Sequence, residues 1–132
     1  MTLDPAHIRT IAAGYTDAWN SGQPARVAGC YAETGSIIIN RGTPWQGRAK
    51  VAEMAAGFYA DVNDMTVILD DLRMAGDHVA FIWTFTGRHA GTGNALNVRG
   101  WEEWDLESDG KIAASLGWYD AADYARQVAG QR

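Results

Sequence analysis

The residue with the clearest chemical potential is Glu102. From Ala95 to Leu106 the side chains alternate, so Leu96, Val98, Gly100, Glu102, Trp104 and Leu106 share one strand face. Asn97, Arg99, Trp101, Glu103 and Asp105 share the other. The first face is apolar except for Glu102. A carboxylate there must be paired, hydrogen-bonded or protonated, because burying it ionised and alone is prohibitively costly. At a pocket wall its pKa would rise, which suits it to proton transfer. The alternative is a structural Glu neutralised by an Arg of a neighbouring element. Either reading supposes regular pleating, since a bulge would reverse the faces.

Other candidates are weaker. His89 follows Arg88 at the end of a long strand, where it is either a proton shuttle at a pocket mouth or a solvated turn residue. Asn40-Arg41-Gly42-Thr43-Pro44-Trp45 is a polar loop ending on a large aromatic. Arg41 could receive an anionic substrate and Trp45 could close over it; a surface Arg and a packing Trp are the duller readings. In the last strand Ile112, Ala114, Leu116 and Trp118 form one set, and Ala113, Ser115, Gly117 and Tyr119 the other. The second set is small until its end, so Gly117 marks either room for a ligand or close backbone approach. No spacing of His, Cys, Asp and Glu matches a zinc or calcium signature, and no metal is expected. Gly91-Thr92-Gly93 lacks the Lys and the following helix of a phosphate loop.

These side chains need a scaffold, and the pattern supplies one. Asp4-Pro5 opens a helix whose Ile8, Ile11, Ala12, Tyr15 and Trp19 make one apolar stripe, ended by Asn20-Ser21-Gly22. Pro24 starts a shorter helix with Val27, Cys30 and Tyr31 on one side. A strand is expected over Ser36–Asn40. A third helix is expected from Arg48 to Ala60, with Val51, Met54, Ala55 and Phe58 buried. Four strands follow: Met65–Met74, Val79–Arg88, Ala95–Leu106 and Ile112–Tyr119, separated by turn residues. Asp120 opens a short final helix that continues through Val128. Three helices and then a strand meander make an α+β domain with helices on one face of the sheet.

The chain has 132 residues, which fits a single domain over 1–132. Eleven Lys and Arg against sixteen Asp and Glu leave a net charge of −5, which argues against a nucleic-acid partner. One cysteine, Cys30, cannot form an internal disulfide, so a reducing cytoplasm fits best. No stretch approaches the ~20 apolar residues of a membrane span, and Met1-Thr2-Leu3-Asp4-Pro5 lacks a signal-peptide start.

In this order and spacing the pieces resemble the nuclear transport factor 2-like superfamily, in its SnoaL-like branch. Tyr15-Thr-Asp-Ala-Trp19-Asn20-Ser-Gly22 is similar to the first-helix signature. Tyr31-Ala-Glu, Trp45-Gln-Gly47-Arg48, Thr86-Gly-Arg-His89, Gly110-Lys111-Ile112 and Trp118-Tyr-Asp120 follow in sequence. The resemblance runs from about Ile8 to Val128. It implies a cone-shaped, curved antiparallel or mixed sheet packed on three N-terminal helices, a cystatin-like α+β roll with a pocket inside and commonly a sheet-mediated dimer.

Residue by residue the resemblance mostly subtracts. Tyr15 matches the oxyanion-binding Tyr of ketosteroid isomerases, and Glu102 falls at or beside their protonated acid. Their general base would align near Ile39 or Asn40, neither of which can take a proton. The last-strand Asp of the cyclases and epoxide hydrolases would fall at Gly117, and the hydrolases' Asp–Arg–Asp arrangement has no clear counterpart. The implied protein is therefore a cofactor-independent acid–base catalyst of isomerase, cyclase or hydratase type on an apolar carbonyl-bearing or ring compound. Glu102 and Tyr15 would be catalytic. Trp45, Trp83, Trp104, Asn40, Arg41, Phe58, His89, Ser115, Gly117 and Tyr119 would line the ligand site. A noncatalytic hydrophobic-ligand binder or dimeric scaffold is the competing expectation. A homodimer is expected through the outer sheet face, which carries Trp101 and, on one reading, Phe81, Trp83 and Phe85 as well.

Overall fold

The computed structural model describes residues 3–131; Met1 and Thr2 of the N-terminal segment, and Arg132, lie outside the described residues. Ten elements follow one another: α1 (Pro5–Asn20), α2 (Pro24–Ala28), β1 (Tyr31–Ile39), β2 (Trp45–Gln46), α3 (Arg48–Asp61), β3 (Val62–Ala75), β4 (His78–His89), β5 (Ala95–Leu106), β6 (Ile112–Tyr119) and α4 (Ala121–Val128). The six strands form one open mixed sheet in the order β2-β1-β6-β5-β4-β3. From β3 to β6 it is the expected antiparallel meander, while β1 joins the edge of β6 in parallel.

Local chemistry accounts for the boundaries. The Asp4 carboxylate accepts the His7 N–H at 2.8 Å, and Pro5 stands in the first turn of α1. Gly22 leaves α1 with φ +70°, a left-handed turn that suits glycine. Ile8, Ala12, Tyr15, Ala18 and Trp19 form the buried stripe of α1. Two side-chain amides then act as strand substitutes. Asn20 donates to Val67 O and accepts from Val67 N at the free edge of β3. Gln127 of α4 does the same for Asn97 N and O on β5, beyond the end of β6. Both close backbone groups that a missing neighbour strand would leave open.

Several elements differ from the sequence pattern. α2 stops at Ala28, so Cys30 and Tyr31 are not on its face; Tyr31 begins β1 and is fully buried. β1 is therefore longer than Ser36–Asn40, and its pairing with β6 shifts register between Tyr31 and Ser36. The two-residue strand β2 was not legible, because its pairing to Ser36 and Ile37 is purely tertiary. In β6 an irregularity lets Leu106 pair with Ile112 but Asp105 with Ala114. Ile112 is thus buried on the same side as Ser115, not with exposed Leu116 as strict alternation required. Phe81 and Phe85 are buried and Trp83 is partly buried on the helix-covered face, which removes all three from the outer face. That outer face keeps Trp101, Ile68 and Leu116 as exposed large hydrophobics.

Gly100 shows how tightly the inner face is fitted. It pairs with Trp83 across β4 and β5, and a Cβ built there would lie 2.5 and 2.7 Å from Trp83 Cζ2 and Cη2. Gly14, by contrast, lies on the exposed side of α1 with nothing within 4 Å of a Cβ. Gly100→Ala is expected to lower stability by about 1–3 kcal/mol through overpacking. Gly14→Ala is expected to raise it by about 0.5–1 kcal/mol by restricting the unfolded chain. Urea unfolding of the two variants beside the parent protein checks both signs.

Candidate functional site

Regular pleating of β5 holds through its centre, so Glu102 points inward, 6% exposed, opposite Phe81 of β4 and Gly117 of β6. Four neutral side chains from four elements surround its carboxylate. Ser115 of β6 donates its hydroxyl to Oε1 at 2.8 Å and Trp104 of β5 its indole N–H at 3.0 Å. Tyr15 of α1 lies 3.0 Å from Oε1 and 3.1 Å from Oε2. Tyr31 of β1 stands 2.9 Å from the Tyr15 hydroxyl and 3.5 Å from Oε1. Tyr15 has one proton to give, so the arrangement runs Tyr31 to Tyr15 to Glu102, each hydroxyl polarising the next. Among the described residues no ion pair involves Glu102. The alternative of an Arg-neutralised Glu is therefore replaced by a carboxyl held by uncharged donors.

The electrostatics follow from that geometry. Burial pushes the Glu102 pKa above the ordinary carboxylate value, and the hydrogen bonds from Trp104, Ser115 and Tyr15, with the Tyr31 hydroxyl behind Tyr15, work against that rise. Burial, reinforced by the neighbouring carboxylate, holds the Tyr15 and Tyr31 hydroxyls well above their usual range. Both stay protonated as donors. The two carboxylate oxygens are not equivalent. Oε1 receives short bonds from Ser115, Trp104 and Tyr15, whereas Oε2 has only the shared contact with Tyr15.

Glu102 also forms part of the wall of a cavity of about 60 Å³, open on one side, between α1, α3 and the sheet. At roughly 30 Å³ per water that space holds about two waters, and a larger molecule would extend through its open side. Of the residues expected at the site, Phe58, Trp83, Gly117 and Tyr119 line this cavity together with Glu102. Tyr15, Trp104 and Ser115 stand behind the wall, bonded to the Glu102 carboxylate; Trp104 is fully buried and stacked on Phe81 at 4.9 Å. Four residues are placed elsewhere. Asn40 uses its side-chain oxygen to accept the Tyr119 N–H at 3.0 Å, and Arg41 lies over the Trp118 ring at 5.6 Å. Trp45 is in the edge strand β2, and His89 accepts from Thr92 N at 3.2 Å in the β4–β5 turn.

The wall includes residues that sequence reasoning left out. Ile39, Met54, Met65 and Val67 contribute apolar surface, and Trp19 closes one side from the end of α1. The spacing of Tyr31 points to a helix face, and nothing in it indicates that this side chain backs Tyr15. Trp19 carried a signal, since it follows Tyr15 by one helical turn on the same stripe. Gly117 leaves space: a Cβ there would meet Ile39, Ile37 and Glu102 Cγ at 3.6–3.8 Å, ordinary contact distances. Among the described residues Glu102 is thus the one carboxylate in the wall. Among the described residues no cluster of His, Cys, Asp and Glu is placed to hold a metal ion, and no helix is long and apolar enough to cross a membrane.

Comparison with known proteins agrees with this architecture. The sequence pattern of the SnoaL-like domain family matches residues 12–115, and the chain belongs to that family. No curated protein matches the chain by sequence. Among solved structures it is similar to a hypothetical protein of ketosteroid isomerase-like fold from Catenulispora acidiphila DSM 44928, in complex with trimethylamine. That likeness has 20% identity, 92% and 93% of the two chains covered and a TM-score of 0.83. TsrD from Streptomyces laurentii is similar at 23% identity, with 96% and 97% covered and a TM-score of 0.83. SalBIII, an epoxide hydrolase/cyclase-like enzyme with a role in pyran ring formation in the polyether salinomycin, is similar at 18% identity, with 91% and 95% covered and a TM-score of 0.80. At these identities the likeness establishes the fold.

The raised pKa of Glu102 carries a sign for stability. A carboxyl whose folded pKa exceeds its unfolded value favours the folded state below the unfolded pKa, and that contribution is lost as pH rises through the folded pKa. Relative to Glu102→Gln, the parent protein is therefore expected to lose melting temperature as pH is raised from 4 toward neutrality. Thermal unfolding of both proteins across that range tests this, and a difference that is flat or of opposite slope contradicts the raised pKa.

Proposed function

We propose that this SnoaL-like domain is a cofactor-independent acid–base catalyst of isomerase, cyclase or hydratase type, acting on a small apolar carbonyl-bearing or ring compound. The observation that carries the reading is the asymmetry of Glu102: one oxygen is saturated by buried donors, and the other is left nearly free on a carboxyl that lines an apolar cavity. Oε2 is the atom that takes and returns a proton. With a ketone substrate the proton leaves the carbon beside the carbonyl, and the C–H electron pair passes into the enolate. The carboxylic acid so formed returns a proton to carbon, which restores the carboxylate. Tyr15 positions Glu102 and stabilises whichever charge state it carries, supported by Tyr31. Apolar walls keep the transfer out of water, where the same dipoles would be worth less.

A second reading, a noncatalytic small-ligand binder, is favoured by one observation: Ile39 and Gly117 leave the wall without a second carboxylate. The trimethylamine held by the Catenulispora protein is consistent with a family pocket that accepts small molecules. Hydrogen–deuterium exchange at the α-carbons of cyclohexanone in D2O, followed by NMR, separates the two. The catalytic reading expects exchange above the buffer rate, a profile rising with pH through the elevated pKa of Glu102, and a loss of at least ~100-fold in Glu102→Gln. Tyr15→Phe should lower the rate as well. Exchange no faster than buffer, or unchanged in Glu102→Gln, selects the binder.

The small-molecule site is proposed to belong to a homodimer formed through the outer sheet face, in the cytoplasm. Ile82, Trp101 and Trp118 stand in register across β4, β5 and β6, and the Glu103 carboxylate accepts both indole N–H groups, from Trp101 at 3.2 Å and from Trp118 at 2.7 Å. Trp101 is still 44% exposed, a large apolar surface for an isolated sheet face. Light scattering at micromolar concentration is expected to return twice the chain mass for the parent protein and a single chain mass for Trp101→Glu. A monomeric parent protein removes the dimer.

A further inference from the structure

We propose that the cavity is a site for a small alkylammonium ion, which brings from outside the countercharge that the chain does not give Glu102. This rests on reading the cavity as a ligand site and does not require that chemistry occur there. A bound ammonium would compete with a carbonyl substrate for the same carboxyl.

Two features of the wall point to a cation. One is uncompensated negative charge. Glu102 lies in the wall, and among the described residues no Lys, Arg or His lines the cavity with it. Arg41 is engaged elsewhere, 5.6 Å from the centroid of the Trp118 ring, and makes no ion pair with Glu102. Asp61, at the end of α3, adds to the negative side. Burial first, and then the Asp61 charge, raise the hydroxyl pKa values of Tyr119 in the wall and of Tyr124 packed against it.

The other feature is aromatic surface. Half of the wall is aromatic, with rings from four elements: Trp19 of α1, Phe58 of α3, Phe81 of β4 and Tyr119 of β6. Phe58 meets Trp19 at 77° and Tyr119 at 72°, with centroids 6.1 and 6.4 Å apart. Rings set so steeply to one another around one space present faces as well as edges to it, and an aromatic face attracts a cation within about 6 Å.

Other classes of occupant fit less well. An anion would be repelled by Glu102, and a hydrocarbon would leave the carboxyl unpaired. A hard cation such as calcium takes about six to eight oxygen ligands, where this wall offers one carboxyl. An alkylammonium carries its charge among methyl groups that suit Ile39, Met54 and Val67. Its attraction to Glu102 acts through low-dielectric surroundings and needs no contact with a carboxylate oxygen. At roughly 30 Å³ for each water-sized group, a cavity of about 60 Å³ matches methylammonium or dimethylammonium, and a longer amine would project through the open side.

The test titrates the parent protein with dimethylammonium chloride, and separately with ethanol, which has as many heavy atoms and no charge. Sodium chloride holds the ionic strength constant, and NMR reads the backbone and indole resonances. So small an ion binds no more tightly than about 1 mM. Dimethylammonium is expected to saturate shifts at Trp19, Phe58 and Tyr119, and ethanol to bind at least ~10-fold more weakly. Glu102→Gln should weaken the ammonium at least ~10-fold and leave ethanol unchanged. Equal binding of the two probes overturns the proposal. So does an ammonium affinity unaltered in Glu102→Gln, or no saturation by roughly 100 mM. If Glu102→Gln does not fold, Phe58→Leu decides: a loss confined to the ammonium supports the site, and an equal loss for both probes or none overturns it. Binding is read without turnover, so an inactive protein that still selects the ammonium keeps this site and loses the catalytic reading.

Discussion

A carboxylate with no countercharge among the described residues sits at the centre of this domain, and much of the architecture can be understood as the means of keeping it there. An isolated buried carboxylate is far too costly to retain, and a cation would satisfy it at the expense of its reactivity. Glu102 is instead held by oriented neutral dipoles from α1, β1, β5 and β6. That solution makes demands on distant parts of the chain. Tyr15 reaches Glu102 only if α1 lies across the sheet with its apolar stripe inward. Tyr31 reaches Tyr15 only if β1 runs back beyond Ser36 and pairs with β6 through a register shift. Ser115 reaches Oε1 only because β6 slips by one residue after Ile112. The irregularities in the sheet are therefore part of the polar site.

The same construction divides labour between space and polarity. Behind the wall, Tyr15, Phe81 and Trp104 pack edge-to-face and stacked at 4.9–5.4 Å, leaving the donors little freedom to turn away. In front of it, room is made by absence. Gly117 withholds a side chain beside Glu102 Cγ, and Gly100 lets the Trp83 ring settle onto the strand. The two glycines differ in kind. At Gly117 a methyl group would meet only ordinary contacts, so that site shapes the cavity; at Gly100 it would collide with Trp83, so that site fixes the wall.

Fold class and most element boundaries were legible from the sequence because they rest on local signals. The Asp4-Pro5 cap, the stripe from Ile8 to Trp19 and the turn glycines each act within a few residues, and β5 and β6 begin and end where alternation placed them. Glu102 stood out for the same reason, as a single charge in a regular apolar alternation. What escaped was non-local. β2 exists only by pairing with β1, and Tyr31 joins the polar cluster only through the parallel pairing of β1 with β6. Asn40 and Arg41 looked like ligand contacts because they are polar and lie in a loop. Both adopt positive φ, 50° and 59°, in a tight turn that spends Asn40 on the Tyr119 backbone and sends Arg41 onto Trp118. Orientation at a turn depends on which strand receives it, and periodicity carries no record of that.

The absence of a second carboxylate from the described cavity wall, where Ile39 and Gly117 stand, acquires a physical meaning when set against the saturated side of Glu102. Two carboxylates across a cavity of this size would repel, and each would hold the other's pKa up. With an aliphatic side chain and a glycine at those positions, the charge state of the wall depends on one group, and that group is set by burial against the hydrogen bonds from Ser115, Trp104 and Tyr15. A single carboxyl can serve as both acid and base only if its two states lie close in energy near working pH. Burial alone would lock it neutral, and the donors alone would lock it ionised. Opposed, they leave its pKa raised above the ordinary carboxylate value, and the low dielectric of the apolar wall makes each contribution larger than it would be in water. The donors that make the buried carboxyl tolerable are therefore also what limits the rise of its pKa, so a change to Tyr15, Trp104 or Ser115 alters its stability and its protonation together.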